Sequence, residues 1–122
     1  MALTKITGEG VGAVDTISVD GGTIKLDGNY PTGTNNVALG NTALDDGSLS
    51  GSNNTAIGSA ALSANTTGAG NTAVGALASD ANTTGANTAA FGTAALSSNT
   101  TADGGTAIGS NALTANTTGA NN

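Results

Sequence analysis

The sequence predicts an all-β fold, a parallel β-solenoid, and three observations carry that expectation. An apolar residue followed by glycine recurs at a fixed interval, small polar residues and glycine fill most of the space between, and large side chains are nearly absent. The recurring steps are Leu39-Gly40, Ile57-Gly58, Val74-Gly75, Phe91-Gly92 and Ile108-Gly109, with glycine spacings of 18, 17, 17 and 17 residues. A fixed period of this kind belongs to a solenoid, where each repeat buries its apolar surface only against its neighbours.

Composition excludes the alternatives. In 122 residues the aromatic side chains are Tyr30 and Phe91 alone, too few for an ordinary globular core. Disorder of the whole chain fits the abundance of Gly, Asn, Ser and Thr, but it does not account for apolar residues that return in register. A helix fails for the same residues, because a Gly in every repeat would cost about 1 kcal/mol each time.

Residues 35–52, 53–69, 70–86, 87–103 and 104–120 form five coils, and Asn121-Asn122 repeat the start of a sixth. Each coil has room for two short strands. In the second coil these are expected over residues 54–57 and 60–64, with Gly58 turning the corner where a side chain would be strained.

Five columns organise the packing. The apolar column Leu39, Ile57, Val74, Phe91 and Ile108 is expected to face the core, preceded in each coil by Ala38, Ala56, Ala73, Ala90 or Ala107. Five residues on, Leu44, Leu62, Ser79, Leu96 and Leu113 form a second apolar column, so Leu62, Leu96 and Leu113 join the expected core. The third coil breaks this column with Ser79, and Leu77 is expected to cover the gap. The last two columns are polar: Asn65, Asn82, Asn99 and Asn116 open Asn-Thr-Thr turns, and Thr66, Thr83, Thr100 and Thr117 follow them. Stacked at about 4.8 Å per coil, identical Asn amides can hydrogen-bond along the stack while Thr suits the pleated surface. Thr67 is expected to be exposed.

Residues 1–34 lie outside the repeat and form an N-terminal attachment or capping segment. Residues 16–20 and 23–27 alternate apolar and polar around Gly21-Gly22, a β-hairpin pattern. The opening residues show neither the charged and apolar pattern of a secretory signal nor a run long enough to span a membrane, so membrane insertion is not expected. The final coil has no cap written after it, which suggests a fragment of a longer protein or copies stacked end to end.

Chemical motifs are few. With no Cys and no His, disulfides, thiolate or imidazole metal ligands and imidazole acid–base catalysis are excluded. Two Lys against eight acidic residues give a net charge of −6, and no basic patch exists for nucleic acid. Gly8-Glu9-Gly10-Val11-Gly12 lacks the Lys and the helix start of a phosphate loop. Asp45-Asp46 could offer carboxylates to Ca²⁺, but a solvated turn pair is the simpler reading. Asn-x-Thr sequons at Asn53, Asn65, Asn82, Asn99 and Asn116 read as ladders rather than glycosylation sites. No enzyme, cofactor or metal site is expected. The thin interior of one coil favours oligomerisation, with a homotrimer, intertwined or side by side, as the simplest solution.

The motif Asn-Thr-Ala-(Ile/Val)-Gly-x-x-Ala-Leu, as in Asn54 to Leu62, resembles the head repeats of YadA-type trimeric autotransporter adhesins and related repeats of bacteriophage tail fibres. The resemblance covers residues 35–122 and implies a left-handed parallel β-roll three chains wide. The period of 17 is longer than is common in the adhesin heads, and the long Asn-Thr-Thr-Gly connectors look more like fibre sequences. Residues 1–7 resemble tail-fibre openings, which implies docking on a phage tail or baseplate protein through residues 1–34 and recognition of a host receptor through a further C-terminal part. The function expected is therefore a structural virion appendage, a tail-fibre rod for host attachment. A bacterial surface adhesin head is the alternative, and an ice-binding solenoid a lesser one, because adjacent Thr66-Thr67 would face opposite ways in a strand.

Overall fold

A computed structural model describes residues 33–122 of the chain. The expected hairpin over 16–27, the glycine-rich segment over 8–12 and almost all of the N-terminal segment lie outside the described residues.

The described part is an all-β parallel solenoid with no helix. Its one sheet has five three-residue strands in chain order: β1 Val37–Leu39, β2 Thr55–Ile57, β3 Thr72–Val74, β4 Ala89–Phe91 and β5 Thr106–Ile108. Each strand pairs in parallel with the next in register with the repeat: Ala38 lies opposite Ala56, then Ala73, Ala90 and Ala107. Hydrogen bonds between coils continue beyond the strands. Gly58 N donates to Leu39 O, Ala60 N to Asn41 O, Leu62 N to Ala78 O and Thr66 N to Thr83 O, so neighbouring coils are joined around the perimeter. This satisfies backbone groups that a thin interior would otherwise strand.

The glycine corner is confirmed. Gly40, Gly58, Gly75, Gly92 and Gly109 have φ between +121° and +138°, a region open to glycine and hostile to other residues. Contact is an independent reason. A Cβ on Gly58 would lie 2.5 Å from the carbonyl oxygen of Gly75 in the next coil.

The second strand expected in each coil is absent, and two consecutive turns replace it. In the second coil Ala61 N donates to Gly58 O and Asn65 N to Leu62 O, each closing a four-residue turn. Ala60 and Leu62 both take left-handed backbone, with φ of 57° and 51°, as do the matching Ala94 and Leu96. Apolar residues at 60–62 looked like strand, but left-handed residues on either side of Ala61 bend the chain sharply enough to return it towards its own strand.

The expected core is corrected on one side. Leu62 and Leu96 are fully buried, together with Leu44 and the unanticipated Leu49. The first apolar column is not inside the coil: Leu39, Ile57, Phe91 and Ile108 are exposed and Val74 is half-buried. The alternation of a strand puts Ala56 and Ile57 on opposite faces, and Ala56, Ala73 and Ala90 are the ones fully enclosed. Facing Ala61, Ala78 and Ala95 belong to the same buried cluster, so the coil is narrow and alanine fills it. Leu113 is also exposed, since it lies in the last coil with no further coil of this chain stacked on it. Leu77 does not cover the gap in the third coil. It is 45% exposed, while Ser79 takes the interior place, fully buried, with a hydroxyl that has no hydrogen-bond partner.

Candidate assembly surface

Two asparagine systems hold the coil shut behind the outward strand face. The expected ladder is present from Asn65 to Asn99, where Asn82 Nδ2 donates to Asn65 Oδ1 at 3.1 Å and Asn99 Nδ2 to Asn82 Oδ1 at 3.2 Å, all three side chains being buried, whereas Asn116 Nδ2 donates to Gly119 O in its own coil. Their burial also withdraws these sequon amides from any modifying enzyme acting on the folded chain. The threonines beside them donate to the next coil, Thr66 Oγ1 to Thr83 O and Thr83 Oγ1 to Thr100 O, and Thr67 is exposed as expected.

The second system was missed in the sequence. Asn54 and Asn71, just before their strands, are fully buried, and each Nδ2 reaches across the coil to a glycine carbonyl, Asn54 to Gly68 and Asn71 to Gly85, both at 2.9 Å. Each Oδ1 accepts from the next coil's backbone, Asn71 N to Asn54 Oδ1 and Thr88 N to Asn71 Oδ1. Asn65 and Asn82 donate to the same Gly68 and Gly85 carbonyls, so two amides converge on one oxygen. The signal was available: Asn36, Asn54 and Asn71 recur immediately before the strand. The fourth coil departs from the pattern twice, with Thr88 for the Asn and Ala102 for the Gly, and Ala102 O accepts from Asn99.

With the interior closed by alanine, leucine and amides, the outward strand face presents two columns. One is Leu39, Ile57, Val74, Phe91, Ile108; beside it, two residues earlier, runs Val37, Thr55, Thr72, Ala89, Thr106. Phe91 is 42% exposed and Ile108 75%. Neither column holds a charge, and the four described acidic residues, Asp45, Asp46, Asp80 and Asp103, lie outside the strands.

Two of those acidic residues, Asp46 and Asp103, accept hydrogen bonds that brace the chain. Asp46 Oδ1 accepts from both the hydroxyl and the backbone N–H of Ser48, which hold its carboxyl below the ordinary value. Asp103 Oδ1 accepts from Ala86 N at 2.7 Å. Asp80 is pushed up by burial, and its Oδ1 has no partner. Among the described residues no group of three or more Asp, Glu, His or Cys is placed to hold a metal ion.

Compared with family models, characterised proteins and solved structures, the chain has no match. The outward strand face is thus uncharged, with one apolar side chain per coil flanked by Val37, Thr55, Thr72, Ala89 and Thr106.

Proposed function

We propose that this chain is a length of a structural rod in a virion tail fibre, assembled as a homotrimer and taking part in attachment to the host. The observation that carries the reading is the outward column from Leu39 to Ile108, one large apolar side chain per coil on a face without charge. A half-exposed aliphatic side chain that becomes covered contributes on the order of 1 kcal/mol, and the gain repeats at every coil. The chain carries a net charge of −6, so identical copies repel except where a neutral face lets them approach.

The number three, the virion setting, docking on a tail or baseplate protein through residues 1–34 and a host receptor at a further C-terminal part all rest on the resemblance of the repeats. Native mass spectrometry tests the assembly: a trimer is expected, and a stable folded monomer or a dimer overturns it. Ile57→Asp is expected to yield a folded but monomeric chain, because Ile57 lies outside the coil, while Thr67→Asp leaves the trimer intact. Immunogold labelling of natural particles and cells tests the setting: label on virion tails supports the fibre, and label confined to a bacterial surface replaces it with an adhesin.

A further inference from the structure

A stack of near-identical coils has a problem of register. Two such rods laid face to face can slip by one coil and recover nearly all of their contacts, losing only the end layer. In-register assembly therefore requires a layer that differs from the others. The outward strand residues are Val-Leu in the first coil, Thr-Ile in the second, Thr-Val in the third, Ala-Phe in the fourth and Thr-Ile in the fifth. The fourth coil is the exception twice over, joining the largest outward residue, Phe91, to the smallest, Ala89.

The two changes belong together. Residues 89 and 91 are two apart in β4 and lie on the same face, and both are directed away from the coil interior that Ala90 occupies. Interior packing therefore does not require a small residue at 89. Strand preference argues against it, since Thr is favoured in strands and Ala is not. A large residue paired with a small one keeps total volume, which matters where a surface is packed against another surface.

Resting on the assembly reading above, we infer that Phe91 and Ala89 form a keyed layer that fixes the axial register between copies of this chain. In register, the Phe91 side chains of the copies meet in one layer, each with the room that Ala89 leaves. Slipped by one coil, Phe91 faces Val74 or Ile108 in layers where Thr72 or Thr106 fills that room.

The test uses the absence of cysteine in the chain. Chains bearing Leu39→Cys and chains bearing Ile57→Cys, distinguished by a mass tag, are co-refolded, oxidised and resolved by mass. Same-residue disulfides report the in-register assembly. Disulfides between 39 and 57 rise on a slip of one coil, which brings these positions level; in register they are offset along the axis by one coil, about 4.8 Å, so the ratio of the two products is the readout. With the natural fourth coil, same-residue disulfides are expected to exceed mixed ones at least tenfold. With Ala89→Thr and Phe91→Ile added, the two are expected to become comparable. Moving the key to the third coil in that background, with Thr72→Ala and Val74→Phe, is expected to restore the excess. An unchanged excess without the key, or no restoration when it is moved, overturns the inference. Native mass spectrometry of the unsubstituted chain separates the two readings: a monomer removes the assembly itself, whereas a trimer indifferent to Phe91 removes only the key.

Discussion

The two faces of the same strands obey opposite rules. On the inward face Ala56, Ala73 and Ala90 are enclosed without variation, whereas the outward face at Ile57, Val74 and Phe91 changes size from coil to coil. The inner position is constrained by a wall of the same chain at fixed distance, so volume there is set. The outer position is bounded only by what approaches it. Hydrophobicity alone ranks the two faces in the wrong order, and the room inside the coil reverses it.

The strongest way to break this contrast is to enlarge an inner residue. Ala73→Leu forces three extra side-chain carbons between Ala56 and Ala90 and is expected to cost about 3 kcal/mol or more, seen as a lowered melting temperature at every protein concentration. Val74→Ser, one residue away, is expected to leave melting of the dilute, dissociated chain nearly unchanged and to weaken only its association. Equal loss of intrinsic stability in both variants would contradict the face assignment.

A smaller loss is expected from the amide ladder. Asn82→Ala removes the donor to Asn65 Oδ1 and one of the two donors to the Gly85 carbonyl, which keeps Asn71 Nδ2, and about 2 kcal/mol should be lost in urea unfolding because the buried Asn65 Oδ1 loses its partner. The exposed Asn53 offers the comparison, since Asn53→Ala disturbs no buried amide.

The third coil sharpens the contrast in the opposite direction. Ser79 occupies the place of Leu62 and Leu96, with φ of 49° against their 51° and 54°, so the backbone there already accepts leucine. Ser79→Leu removes an unpartnered buried hydroxyl and is expected to gain about 1–2 kcal/mol. A destabilised variant would mean that Leu62 and Leu96 have already closed over the site.

The smallest effect concerns Asp80, whose carboxyl is pushed up by burial. Because its folded value lies above its unfolded one, the folded chain holds the proton longer, and stability falls as pH rises from the ordinary carboxylate value through the raised one. Asp80→Asn is therefore expected to raise the melting temperature slightly at neutral pH and to make no difference well below the carboxylate range. Asp46 acts with the opposite sign and at lower pH, since its carboxyl is depressed by Ser48.

Sequence by itself determined the period, the parallel stacking, the position of each strand, the glycine corner and the Asn65 to Asn99 ladder. These follow from identical residues recurring at identical intervals, because a repeat places like on like. Only the tertiary structure decided which strand face lies inside, that residues 60–64 form turns rather than a strand, and that Asn54 and Asn71 clamp the coil. Those three depend on the distance between opposite walls of one coil. That distance is set by left-handed residues such as Ala60 and Leu62, whose conformation their side chains do not advertise. Once the walls stand this close, alanine fits between them, and Ile57 and Phe91 are turned outward.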